Sequence, residues 1–333
     1  MKFLIVGCGS IGQRHAKNLK MIYPDLELSA FRTTKTKIGF IDELGIKEYF
    51  DLTEALDHNP DAVLITNPTS FHIPVAITVA KRCCHLFIEK PLSNSMQNVD
   101  EFIDVVRKNH IKVLIGCNLR FYPSLNLIKD LLKEKRIGRV VSVRAEAGQY
   151  LPDWRPNKDY RKIYSSRKSL GGGVILDLIH ELDYLYWFFG DVEKVFSLSG
   201  KLSNLDIETE DFAEILMQFR NGIIAEIHLD YIQRKATRTC QIIGEEGTIA
   251  WDYHKNEVKV FSVDKGDWEI LCCSQNYEIN SMYIEEMRHF VNCIRNQEDP
   301  LIDIVDGKKV LEIALAAKES AKTEKLISLD FNA

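Results

Sequence analysis

Apolar and polar positions follow two different rhythms along this chain. Over roughly the first third, short apolar runs alternate with helical stretches. KFLIV, LELSAF, EYF, AVLIT, HLFIE and KVLIGC read as strands. Helical spacing runs through Ile11, His15, Leu19 and Ile22, and recurs near residues 52–57, 73–82 and 96–109. Such alternation predicts a parallel, doubly wound α/β sheet. From Val140 the rhythm changes. VVSVRAEAG, VEKVFSLSG, FAEILMQF, IIAEIHLDY, CQIIG, TIAWDY, EVKVFSV and WEILCC follow one another with short connections, which predicts a mostly antiparallel sheet. Helices are expected near 278–296 and 306–323, with the turn NQEDP between them. At 333 residues the chain exceeds what one core usually organises. The expected domains are 1–120 and 121–333.

One segment breaks the apolar rule. GGGVILDLIHELDYLYWFFG, residues 171–190, reads as one helix that is apolar around most of its circumference. Asp177, His180, Glu181 and Tyr184 nevertheless share a stripe, because residues three, four and seven apart lie on one helix face. Buried charge is costly unless it is paired, hydrogen-bonded or facing a wet cavity. The stripe either bonds internally or lines a site.

Between the first strand and first helix lie Gly7, Gly9 and Gly12, the GxGxxG spacing. In that place the glycines serve a tight turn, close approach to a pyrophosphate and close helix packing, with phosphate on the free N–H groups of Ser10 and Ile11 at the helix start. The second strand ends in Ala30, Phe31, Arg32, Thr33 with no acid in the turn. Arg32 with Thr33 favours NADP over NAD; the plainer reading is that Arg32 stacks on adenine. Other strand ends carry Asn67 and His72, then Glu89, Lys90 and Pro91, then Asn118, Arg120 and Tyr122. Lys90 is held extended by the following proline and can hydrogen-bond a substrate oxygen, although EKP alone is also an ordinary solvated turn. His72 suits a helix start or the cofactor side. Cys117 has no histidine near it in sequence and reads as an inert buried thiol.

Composition changes the picture mainly by exclusion. Hydrophobic residues are 45% and charged residues 27%, as in folded globular proteins. A net charge of −5 carries no nucleic-acid footprint. The opening MKFLIVGCGSIG is too short an apolar run for a signal peptide, and no run is long enough for a membrane span. The eight cysteines, including Cys83-Cys84 and Cys272-Cys273, lack CxxC spacing, so no metal site is expected and reduced thiols in a cytoplasmic protein are.

Gly7-Cys8-Gly9-Ser10-Ile11-Gly12, Glu89-Lys90-Pro91 and Gly171-Gly172-Gly173 followed by Asp177, His180 and Asp183 occur together in this order. That set resembles the Gfo/Idh/MocA family of sugar and polyol oxidoreductases over nearly the whole chain. The resemblance implies an N-terminal Rossmann domain and a C-terminal α/β domain whose open sheet often mediates oligomerisation, so a homodimer or homotetramer is expected. It assigns Lys90 as the EKP lysine, Asp177 as the motif aspartate and His180 as the acid/base. The family usually has three residues between that aspartate and histidine; here only Leu178 and Ile179 intervene. In a continuous helix this rotates Asp177 by about 100°. Asp177 could instead begin the helix or orient His180, as Asp183 or Glu181 also could.

Residues 149–168 lack periodicity and carry Arg155, Lys158, Arg161, Lys162, Arg167 and Lys168 among Tyr150, Trp154, Tyr160 and Tyr164. An ordered lid over an anionic ligand is one reading and plain surface solvation the other. Arg234 and Arg238 either add to that pocket or dress a sheet edge. The expected cofactor contacts are Gly7, Gly9, Ser10, Ile11, Gly12, Arg32, Thr33, Asn67, His72, Glu89 and Lys90. The expected substrate contacts are Lys90, Arg120, Tyr122, Trp154, Arg155, Asp177, His180 and Arg234. The activity expected is hydride exchange between NADP(H) and a secondary alcohol of a sugar, preferably anionic, such as a nucleotide sugar or sugar acid. A non-catalytic dinucleotide sensor and an NAD-dependent glycoside-cleaving enzyme are the rivals.

Overall fold

The computed structural model describes residues 1–35, 38–273 and 277–331, apart from the side chains of Cys272 and Cys273, so the reading of that pair lies outside the described residues. The chain begins β1 (Lys2–Val6), α1 (Ser10–Ile22), β2 (Glu27–Phe31), α2 (Gly39–Glu43), β3 (Lys47–Tyr49), α3 (Leu52–Asp57), β4 (Ala62–Ile65), α4 (His72–Ala80), β5 (His85–Glu89), α5 (Val99–Lys108) and β6 (Val113–Gly116). These six strands form one parallel sheet in the order β3-β2-β1-β4-β5-β6. β1, β4 and β5 are buried at nearly every position, as strands covered on both faces must be. The order reverses between β1 and β4, so the turns at Gly7 and Thr66 flank the switch point where such sheets bind ligands. The five-residue α2 was not expected; GFIDE is too short to display a helical period.

The chain continues with α6 (Pro123–Lys133), β7 (Val140–Gly148), α7 (Val174–Asp177), α8 (His180–Phe189), β8 (Val192–Gly200), β9 (Phe212–Phe219), β10 (Ile224–Asp230), β11 (Thr237–Gly244), β12 (Gly247–Asp252), β13 (Glu257–Ser262), β14 (Asp267–Cys273), α9 (Asn280–Asn296), α10 (Ile304–Thr323) and β15 (Ile327–Ser328). Nine strands form the second sheet, β14-β13-β12-β11-β7-β10-β9-β8-β15, antiparallel except where β7 runs beside β10. Burial alternates along β9, β12 and β13. One face, with Ile215, Met217, Ile242 and Trp251, is enclosed, whereas the other carries Leu198, Leu216 and Ile224 half-exposed among Arg144, Glu214, Glu226 and His228.

Two compact units result: Met1–Asn118 with Ile279–Leu311, and Leu119–Glu278 with Glu312–Ala333. In the first, α9 completes the core. Phe290 packs edge-on against Phe3 and Phe87, the Asn18 and Asn280 amides exchange hydrogen bonds, and Arg14 stacks on Tyr283. Glu286 is fully buried there, and burial, followed by the nearby Glu89 carboxylate, pushes its pKa well above the usual carboxylate range. Among the described residues, no helix is long and apolar enough to cross a membrane, and no cluster of metal-ligating side chains occurs.

The segment expected as one helix is two. After Gly173, at φ +121°, α7 makes a single turn; Leu178 leaves helical geometry at φ −95°, ψ 32°, and α8 starts at His180. The side chains on either side of the break are tied to different partners. Asp177 accepts from the hydroxyls of Tyr164 and Tyr231. Glu181 pairs with Arg238 at 2.8 Å and Asp183 with Arg120 at 2.7 Å. The buried stripe is therefore resolved in part as ion pairs. Residues 149–170, expected without regular structure, form four short 3₁₀ turns.

Two predictions follow from the buried and half-buried charges. Asp183→Asn leaves the Arg120 guanidinium enclosed without its carboxylate and is expected to lower unfolding free energy in urea by about 3–5 kcal/mol; Arg120→Met combined with Asp183→Leu should cost less than either charge removed alone. His228 lies 2.9 Å from Asp230 and 2.6 Å from Glu214. Those bonds, Asp230 first, raise its pKa to about 9 against the effect of burial. A pKa raised above the unfolded value of about 6.5 stabilises the fold fully below that pH, and the gain is lost as pH climbs through 9. His228→Gln should accordingly flatten the fall in melting temperature between those two pH values.

Candidate active site

The glycine turn after β1 is tightly built. At Gly7, φ is +101° and a Cβ would fall 2.6 Å from the Asn67 nitrogen; at Gly12 one would fall 2.2 Å from the Gly7 carbonyl oxygen. Thr66 braces the turn by donating to the carbonyls of Gly7 and Val6. Gly9 differs, since a Cβ there would meet nothing within 4 Å. It caps α1 without a side-chain bond, and no acid lies in the first turn. The free N–H groups at the start of α1, by Ser10, Ile11 and Gly12, thus sit behind an open approach suited to a pyrophosphate.

At the end of β2, Arg32 is buried and its Nε donates to the carboxylate of Glu48 from β3, while Thr33 is exposed. An acid is therefore present, although the end of β2 supplies none. The premise that Arg32 stands there without a carboxylate does not hold. Both groups act on Cys8 in the glycine turn; burial raises that thiol to about 11, with Arg32 lowering and Glu48 raising it.

Glu89, expected beside the cofactor, is buried at the end of β5 with one oxygen 2.6 Å from Nε2 of the fully buried His15 on α1. The bond anchors the strand end that carries the half-buried Lys90. The Lys90-Pro91 peptide is cis. His72 starts α4, as anticipated, and its ring nitrogens lie 2.9 Å from the carbonyl oxygens of Pro91 and Asn67. Burial lowers its pKa, against the pull of the two carbonyls, which favour the proton-bearing ring.

In the second unit His180 and Asp177 are 7% and 5% exposed. Tyr231, fully buried, is kept protonated by burial and then by the Asp177 charge, so its hydroxyl stays a donor to the carboxylate. Trp154 stacks edge-on against Tyr231 at 5.3 Å and is fixed by a bond from Nε1 to the Gln149 carbonyl. The structure thus brings Trp154 to the tyrosine that holds Asp177. Arg120 and Tyr122, expected to touch substrate, are each 2% exposed; Arg120 is enclosed on Asp183 and over Trp187. Arg234 lies exposed, 3.6 Å above the Tyr150 ring, and Arg155 is half-buried. Of the loop cations, Arg161 pairs with Asp159 and Arg167 with Glu208, and Lys158, Lys162 and Lys168 are exposed. Main-chain bonds from Glu208 to Ser166 and from Gly173 to Ser165 clasp the loop in place.

Sequence reasoning missed Glu48, His15 and Tyr231 as parts of these sites. Each is delivered by an element other than the one carrying the motif. Tyr231 closes a strand that reads as ordinary alternation, and only its neighbours Asp230 and Arg234 mark that strand end as polar.

Comparisons with known proteins agree with this layout. The Gfo/Idh/MocA oxidoreductase family's NAD-binding Rossmann fold matches residues 1–117, and its C-terminal alpha/beta domain matches residues 129–329. Myo-inositol 2-dehydrogenase of Thermotoga maritima is 28% identical, with 99% of each chain covered. A levoglucosan dehydrogenase solved with NADH and levoglucosan superposes with a TM-score of 0.88 at 20% identity, covering 98% of this chain and 99% of that one. The WlbA dehydrogenase of Bordetella pertussis, solved with NADH and UDP-GlcNAcA, gives 0.85 at 22% identity, covering 99% and 98%. With both of its domains matched and nearly the whole length accounted for, the chain belongs to the Gfo/Idh/MocA oxidoreductase family.

Proposed function

We propose that this chain catalyses reversible hydride transfer between a nicotinamide dinucleotide and a secondary alcohol carbon of a sugar or cyclic polyol. The observation that carries the reading is His180 at the first turn of α8, three residues after an Asp177 immobilised by two tyrosine hydroxyls. When bound, the nicotinamide ring accepts or supplies the hydride. In the oxidative direction His180 takes the hydroxyl proton, and in reduction it returns it. Lys90 donates a hydrogen bond to the reacting oxygen and holds the negative charge that develops there. Asp177, fixed by Tyr164 and Tyr231, positions the imidazole. Trp154 offers an apolar face to the sugar ring, a role for which aromatic side chains are well suited.

An uncharged polyol fits the loop chemistry, because Arg161 and Arg167 already pair with Asp159 and Glu208. The relative from Thermotoga, named for myo-inositol, supports the same class. A substrate carrying an acid or phosphate is the second reading, favoured by Arg234 over Tyr150 and by the half-buried Arg155. The half-exposed apolar positions on the open sheet face, Leu198, Leu216 and Ile224, are proposed as the contact of a homodimer or homotetramer. The six described cysteines are free thiols, in keeping with a cytoplasmic setting.

Net change in nicotinamide absorbance, measured with myo-inositol, levoglucosan, sugar acids and nucleotide sugars, tests the activity. At least one polyol should support steady net turnover. His180→Asn should lower kcat by about 10²–10⁴-fold with dinucleotide Kd unchanged. Turnover untouched by that change would overturn the mechanism. Cleavage of a glycoside without net cofactor change would assign the protein to the transient-oxidation class instead, and dinucleotide binding with no turnover on any substrate would favour a sensor.

A further inference from the structure

We infer that Glu48 selects the dinucleotide, and that it selects NAD(H) over NADP(H). The inference rests on the proposed function only in taking a dinucleotide to occupy the glycine turn. In a doubly wound fold the adenosine ribose lies by the end of the second strand, where an acid receives the 2′-hydroxyl or an arginine receives a 2′-phosphate. β2 ends at Phe31, and the turn after it carries Arg32 but no acid.

The neighbouring strand makes up the difference. Glu48 is the register partner of Ala30 in the parallel pair β2 and β3. Arg32 lies two residues beyond Ala30, so both side chains project from one face of the sheet. Arg32 Nε donates to Glu48 Oε1, with the arginine side chain 6% exposed and that of the glutamate 28% exposed. The guanidinium is enclosed while the carboxylate keeps an accessible side. The Gly7 N–H bonds the Phe31 carbonyl, which holds this strand end against the glycine turn.

The two possible occupants are treated differently by this pair. A ribose 2′-hydroxyl meets a carboxylate able to accept from it in a charge-assisted bond. A 2′-phosphate meets the same carboxylate as a like charge, and the arginine that would welcome it is already neutralised. Lys35 lies 5.4 Å over the Phe50 ring but is itself exposed, so its charge is screened by solvent.

Titration of the whole chain with NADH and with NADPH at one ionic strength, followed by calorimetry or protein fluorescence, gives both Kd values. The unaltered chain should bind NADH at least about tenfold more tightly, the scale of one charge-assisted bond. Glu48→Gln keeps the shape and removes the charge; NADPH should then bind about tenfold more tightly and NADH more weakly. Arg32→Gln should move NADPH the other way, leaving Glu48 unopposed. Tighter NADPH binding by the unaltered chain, or weaker NADPH binding after Glu48→Gln, would overturn the assignment and make Glu48 a support that holds Arg32 for the phosphate. An unmoved ratio with both dinucleotides bound overturns the Glu48 assignment alone, whereas binding of neither overturns the proposed function as well.

Discussion

Enclosed charge governs the architecture around His180. An ionised carboxylate removed from water must find a cation or hydrogen-bond donors, because leaving it alone costs several kcal/mol. α8 buries two acids within its first turn, Glu181 and Asp183, and each meets an arginine from a different element: Arg238 on β11 and Arg120 ahead of α6. Two such pins fix the rotation of the helix about its axis as well as its height above the sheet. The direction of the imidazole at the helix start follows from them. Trp187 contributes by lying under Arg120 and Lys129.

The break at Leu178 gives the shortened spacing between Asp177 and His180 a different meaning from the one a straight helix imposes. In a continuous helix the lost residue would turn one side chain away from the other. Here the carboxylate is set by Tyr164 and Tyr231 and the imidazole by the next helix, so the angular relation along a single helix no longer applies. The first unit uses a related device. His15 and the buried Glu89 anchor the strand end leading to Lys90, and the adjacent Glu286, kept as a neutral acid by burial and by Glu89, avoids a second enclosed negative charge.

Much of the architecture was legible because strand and helix periods differ so plainly. The boundaries read for β7, β8 and β9 coincide with the strands observed, and both sheets have the predicted sense. The Gly7, Gly9 and Gly12 turn was readable because its spacing follows a strand and opens a helix. What remained hidden depends on register between elements distant in sequence. Glu48 reaches Arg32 only because β3 lies beside β2, and Tyr231 reaches Asp177 only through the placement of β10 under α7. Arg120 has the composition of a substrate-binding residue, and only the tertiary pairing with Asp183 shows where its charge goes. The helix break escaped notice because VILDLIHEL contains neither proline nor glycine to announce it.

The first unit recruits α9 from far down the chain, with Phe290 filling space between Phe3 and Phe87 and Asn280 bonded to Asn18. A fragment ending at residue 118 would therefore leave Phe3 and Phe87 without the ring that covers them and the Asn18 amide without its partner. Chimaeras that exchange dinucleotide modules among homologues must be grafted at three junctions, near residues 118, 278 and 311, for the transplanted core to arrive whole.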